Sequence, residues 1–139
     1  MASPILCPYE VHGEEMKRRE LGLQGEEVAV RYLEGKGYLI LGRNYRTSTG
    51  EIDVVAQEGE TLVFVEVRAR SSRQYGLPEE SVTPAKSQRL IEVAQGYLQE
   101  EGVDAETHWR IDIVALEFAP SGELLRVEHI ENAVSGGDV

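Results

Sequence analysis

Glu51, Asp53, Glu66 and Arg68 are the residues whose types and spacing could do chemistry. They lie on either side of a short Glu58-Gly59-Glu60 break between two β-branched runs, the sequence signal of a β-hairpin. With Gly59 and Glu60 as the turn, Glu58 faces Thr61, Gln57 faces Leu62, Val55 faces Phe64, Asp53 faces Glu66 and Glu51 faces Arg68. Side chains alternate along a strand, so this register predicts Glu51, Asp53, Glu66 and Arg68 on one face. Ile52, Val54, Val65 and Val67 are predicted on the other. Two carboxylates directly opposite each other repel, and among Val and Ile that repulsion is poorly screened. A shared proton, a nearby Arg or a hard divalent cation preferring oxygen ligands would offset it. The plainer alternative pairs Glu51 with Arg68 and leaves Asp53 and Glu66 at a wet sheet edge. A one-residue slip in register would send the carboxylates to opposite faces.

The elements that must position these groups follow from periodicity. From Gly13 to Lys36 the pattern is helical, with Leu21, Gly25, Val28, Ala29 and Tyr32 as the core stripe and Gly35 and Gly37 as the stop. Glu27 aligns with Gln24, Arg31 and Glu34 on the polar face and can pair with Arg31 four residues on. Glu26 aligns with Gly22, Val30 and Leu33 at the border of the apolar stripe, where a carboxylate needs a partner or a metal. As a bordering glutamate alone it is an ordinary surface feature. A strand is expected from Tyr38 to Arg46, then a turn at Thr47 to Gly50, then the hairpin.

Residues 71 to 82 read as a polar loop. Thr83-Pro84 marks a helix start, with Thr83 as N-cap and Pro84 at the first helical position. Leu90, Ala94, Tyr97 and Leu98 give that helix its stripe, and Gly102 ends it. Lys86 lies along this stripe and in the first turn, where the helix dipole favours anions. It either faces a negatively charged site or snorkels to solvent. His108 to Phe118 and Leu124 to Ile130 read as strands, with Asp112 an acid inside an apolar run whose expected role is a salt bridge to Arg110 or a neighbour. His12, His108 and His129 have no ligand spacing and are expected at the surface. The order is helix, three strands, helix, two strands, and the strand–helix–strand crossover beside a hairpin predicts an α/β mixed sheet with helices packed on it. The expected division is a tail over 1–12, one domain over 13–132 and a tail over 133–139.

At 139 residues the chain is one domain. Its net charge of −11 argues against a general nucleic-acid coat protein. Yet Arg46, Arg68, Arg70, Arg73 and Lys86 gather near the acidic hairpin, and such a rim would suit a phosphodiester. No apolar run approaches the ~20 residues of a membrane helix, the first residues do not form a secretory signal, and the single Cys7 excludes an internal disulfide. A cytoplasmic protein with no membrane association is the expectation.

Asp53 followed by Glu66-Val67-Arg68 resembles the PD-(D/E)xK nuclease signature with Arg in the lysine place. The wider pattern resembles the YraN family (uncharacterised protein family 0102), bacterial proteins similar to archaeal Holliday-junction resolvases. It comprises Leu21-Gly22-Leu23-Gln24-Gly25-Glu26 with Ala29, Tyr32-Leu33, Gly37-Tyr38, Asn44-Tyr45-Arg46, Gly50-Glu51-Ile52-Asp53, Phe64-Val65-Glu66-Val67 and Lys86. The resemblance implies a restriction-endonuclease-like fold and a metal-dependent endonuclease acting on structured or branched DNA. Glu26, Asp53 and Glu66 fall on the acids that hold Mg2+ or Mn2+, with the Val67 carbonyl a further donor. Arg68 falls on the lysine, and Glu51, Asp112 and Lys86 become supporting candidates, Lys86 as a stand-in for the missing lysine. Arg46, Arg70 and Arg73 are candidate DNA contacts, and a homodimer is implied by analogy. Arg68 keeps the positive charge but cannot act as a base, since its pKa stays above about 12. Two other functions therefore stand beside the nuclease: a nucleic-acid-binding module without catalysis, and an acidic protein-interaction domain.

Overall fold

The β-branched runs form the centre of the molecule, a five-stranded sheet in the order β1-β2-β3-β4-β5. The computed structural model describes residues 18–71 and 76–134. Its strands are β1 (Leu39–Arg46), β2 (Glu51–Glu58), β3 (Thr61–Arg70), β4 (Trp109–Phe118) and β5 (Leu124–Ile130), with helices α1 (Arg18–Gly35) and α2 (Pro84–Glu100). A 3-10 turn, Pro78–Ser81, breaks what the sequence suggested was a plain loop before α2. All neighbouring strands are antiparallel except β3 and β4, which run parallel with α2 as their crossover. The architecture is thus the expected α/β mixed sheet flanked by helices, in the expected αβββαββ order.

The sheet divides the core in two. On one side Val28, Ala29, Val30 and Leu33 of α1 pack on Val54, Ala56, Val63, Val65, Val114 and Leu116. On the other, Leu90, Ile91, Val93 and Ala94 of α2 pack on Ile52, Val55, Phe64 and Ile111. The central strands are buried on both faces, which is why Val54-Val55-Ala56 is a continuous apolar run. Helix ends follow the local signals: Tyr38 N–H donates back to Leu33 C=O at 3.0 Å as Gly37 turns the chain with φ 95°. Thr83 caps α2 by accepting from Lys86 N–H at 3.1 Å.

Two side chains depart from the periodic expectation. Gln24, placed on the polar face, is fully buried, and its Nε2 donates to Gly122 C=O at 2.9 Å. His129, expected at the surface, has a side chain only 2% exposed, against Asp112. Past Asn132, Ala133 N–H donates to Ile111 C=O at 2.8 Å and Val134 is buried. Residues 1–17 and 135–139, where the tails and the start of the first helix were expected, lie outside the described residues.

Gly25 sets how closely α1 approaches β3. A Cβ there would stand 2.9 Å from Ala69 Cβ and 3.5 Å from Leu116 Cδ1. Gly25→Ala should therefore destabilise: overpacking costs about 1–3 kcal/mol, outweighing the ~1 kcal/mol that Ala gains over Gly in a helix. Urea denaturation checks this, and a higher midpoint would show that the helix simply shifts outward.

Candidate active site

The β2–β3 ladder runs from Glu58↔Thr61 to Val54↔Val65, and the register predicted for this part of the hairpin is the one found. It does not continue to Asp53↔Glu66, where a cross-strand acid pair was expected. Val67 N–H instead donates to Asp53 Oδ2 at 2.8 Å. The carboxylate takes the amide that the ladder would otherwise use, and the two strands part at this point. The alternation of faces breaks here as well. Ile52 packs in the α2-side core and Val54 in the α1-side core, so these two do not share the face predicted for them. On the neighbouring strand Asn44, between the pairs Arg43↔Val54 and Tyr45↔Ile52, has φ 55°. Asn tolerates that left-handed conformation better than most residues.

Three carboxylates gather at the fork, and a fourth, Glu66, is held by cations beside it. Glu26 of α1 and Glu51 and Asp53 of β2 each offer an oxygen, and these oxygens lie within 4.8 Å of one another. With its amide nitrogen turned towards them, Asn44 donates to Glu51 Oε2 at 2.8 Å and to Glu26 Oε1 at 3.2 Å. Arg46 Nε stands 3.6 Å from Glu51 Oε2 on an otherwise exposed side chain. Burial pushes the Asp53 carboxyl up to about 8, helped by the charges of Glu66, Glu26 and Glu51 and opposed by the Val67 hydrogen bond. Glu26 is also raised, by burial first, against the Asn44 hydrogen bond that lowers it.

Glu66 is 2% exposed and meets the cations. Its Oε2 lies 3.1 Å from Arg68 Nη1 and 3.6 Å from Lys86 Nζ. Lys86 therefore points from the first turn of α2 to a buried carboxylate, which accounts for a cation in a position that the helix dipole disfavours. Arg68 Nε donates to Ser81 Oγ at 2.8 Å. The acids closest to one another are thus Glu26, Glu51 and Asp53, with Glu51 nearer the centre than its supporting place implied. Glu66 joins them through its effect on Asp53 while paired to Arg68 and Lys86.

The remaining candidates stand apart. Asp112 has no exposed surface and accepts from Arg110 Nε at 2.9 Å, His129 Nε2 at 2.8 Å and Asn132 N–H at 2.8 Å. It is a structural acid that ties β4 to β5, the salt-bridge role expected for it. Arg70 ends β3 opposite Glu117 of β4, and Arg73 lies outside the described residues. Two residues at the site had no role in the sequence: Asn44, visible only as part of the Asn44-Tyr45-Arg46 motif, and Ser81, for which the sequence offers no signal.

Among known proteins, residues 25–116 match the family described as Uncharacterised protein family UPF0102. A UPF0102 protein of Pelotomaculum thermopropionicum is 48% identical over 116 residues, covering 84% of this chain and 96% of its own. One of Chloroflexus aurantiacus is 47% identical over 117 residues, covering 84% and 94%. One of Roseiflexus castenholzii is 42% identical over 118 residues, covering 85% and 95%. Among solved structures, Pyrococcus furiosus SfsA in complex with Ca2+ aligns with a TM-score of 0.39 and 18% identity, over 90% of this chain and 69% of that one.

Proposed function

The chain belongs to the UPF0102 family, and from the side chains at the β2–β3 fork we propose that it is a divalent-metal-dependent nuclease that hydrolyses phosphodiester bonds, with structured or branched DNA as the substrate that the resemblance to resolvases implies. The observation that carries this is the convergence of Glu26, Glu51 and Asp53 to within 4.8 Å of one another, with Glu66, whose charge acts on Asp53, held by Arg68 and Lys86. The donor set fits a hard cation. Oxygen ligands at about 2.1 Å from an octahedral ion stand about 3–4 Å apart, and carboxylates suit Mg2+ and Mn2+. The raised Asp53 carboxyl is consistent with the same assignment: burial first, then the neighbouring carboxylates, disfavour its ionised form when no cation is beside it.

Glu26, Glu51 and Asp53 would hold the ion. When bound, it supplies Lewis acidity towards the phosphate and lowers the pKa of a coordinated water. The Val67 amide fixes the Asp53 carboxylate, and Asn44 steers Glu26 and Glu51. Arg68 offers charge and a planar fork for phosphate oxygens but no base. Lys86 stands within reach of Glu66 and takes the part that lysine plays in the PD-(D/E)xK pattern. Lys86→Ala should lower cleavage about a hundredfold, the scale of losing one preorganised charge at a transition state, with DNA affinity changed far less. Equal losses in both would reduce Lys86 to a phosphate anchor.

One observation favours a module that binds nucleic acid without cutting it: the 3.1 Å ion pair that commits Arg68 to Glu66. Labelled branched and linear DNA incubated with Mn2+ and either wild type or Asp53→Asn separates the two. Cutting by the wild type alone supports the nuclease. Binding with a steep salt slope but no cutting supports the module, and neither leaves the acidic protein-interaction domain.

A further inference from the structure

We propose that Ser81 is a positioning residue for Arg68, part of an anchored turn that holds the guanidinium's charge and fork at the place where the nuclease pattern carries lysine. The inference rests on the nuclease assignment above and deepens it. Ser81 Oγ accepts from Arg68 Nε at 2.8 Å and donates to Pro78 C=O at 2.7 Å. A hydroxyl has one proton, so giving it to Pro78 turns the lone pairs towards Arg68 and fixes the direction of the bond. Nε lies on the shaft of the guanidinium, so holding it while Nη1 contacts Glu66 at 3.1 Å restrains the whole plane. A lysine carries no donor at that point along its side chain and would have no use for Ser81. The hydroxyl and the guanidinium are a matched pair.

The turn that carries Ser81 is itself anchored. Arg126 of β5 grips Glu79 with both ends of its fork, Nη2 to Oε2 at 2.7 Å and Nη1 to Oε1 at 3.3 Å. The same Nη1 donates to Glu117 Oε2 of β4 at 2.7 Å. Glu80 accepts from Leu77 N–H at 2.9 Å and closes the first residues of the turn. These side chains are largely shielded, with 24%, 17% and 10% exposure for Arg126, Glu79 and Glu117. The chain of contacts therefore runs from β4 and β5, through Pro78–Ser81, to the guanidinium beside Glu66.

A double-mutant cycle tests the inference. In the wild-type background, Ser81→Ala should lower kcat for Mn2+-dependent cleavage about tenfold, the scale of one hydrogen bond to a charged group. The melting temperature should stay put, and Ser81→Thr should retain most activity. In the Arg68→Lys background, Ser81→Ala should change kcat less than about twofold, because lysine makes no such bond. The Arg68 Nε–H resonance should be protected from exchange in wild type and lose protection in Ser81→Ala. Equal losses in the two backgrounds, or a loss that tracks melting temperature, would overturn the proposal. An inactive wild type with a Ser81-dependent Nε–H would instead show that the nuclease assignment is wrong and that the contact is only structural.

Discussion

Asp53→Asn is expected to reduce Mn2+-dependent cleavage by about a thousandfold or more, the scale of several kcal/mol of metal assistance, and to stabilise the metal-free protein above neutral pH. The second half follows from linkage. The carboxyl is raised from its ordinary 3.8 to about 8, so between those limits the native state binds a proton that the unfolded state has released. Stability from this group is full below 3.8 and falls as pH rises to about 8. Asparagine has no such titration and can present its amide oxygen to Val67 N–H. The wild type should lose stability over this range when metal is absent, while Asp53→Asn should not. Mn2+ should restore the wild type, by binding the native state only, and leave the variant unmoved. Melting curves at several pH values, with EDTA and with Mn2+, check both halves. Identical pH profiles for the two proteins would remove the assignment of Asp53 as an uncompensated acid.

The opposite behaviour is expected at Asp112, a fully buried acid. Asp112→Ala should cost about 3–5 kcal/mol, because each buried donor left unsatisfied costs about 1–3 kcal/mol: Arg110 Nε, His129 Nε2 and Asn132 N–H all lose their acceptor, while Arg110 Nη2 keeps Glu58 at 2.9 Å. Burial works to raise the Asp112 carboxyl, but hydrogen bonds from His129, Arg110 and Asn132 outweigh it and hold the group below its ordinary 3.8. The sign is therefore reversed: its contribution is full above 3.8 and is lost as pH falls through the native value. Cleavage per folded molecule should survive in Asp112→Ala. Denaturant titration and activity at a temperature well below the variant's midpoint check this. A folded, stable Asp112→Ala that has lost cleavage would place Asp112 in the site after all.

The contrast between these two acids shows what the sequence exposes and what it hides. The hairpin register was legible because the Glu58–Glu60 break and the β-branched runs fix local pairing. The crossover followed from one helical stripe between two strands. Hidden were the features that depend on distant partners. Gln24 carries helix spacing that places it on a polar face, yet its acceptor is the Gly122 carbonyl at the far end of the chain. His129 has no motif, and Asp112 buries it. The end of the ladder at Val54↔Val65 was also hidden, because perfect alternation predicts that pairing continues, while the Asp53 side chain competes for the Val67 amide. Glu51 was visible as an acid, but its place beside Glu26 needed the adjacency of α1 to β2, and Ser81 needed the 3-10 turn.

The sheet acts as a partition, and Glu26 and Lys86 reach the site from opposite rooms. Glu26 comes with the packing of Val28, Ala29 and Leu33, and Lys86 with that of Leu90, Val93 and Ala94. A substitution deep in one half can move one of these two groups and leave the other where it is. Changes behind α2 can shift the cation while Glu26 stays aimed. A site divided in this way can wander in chemistry without the fold having to wander with it.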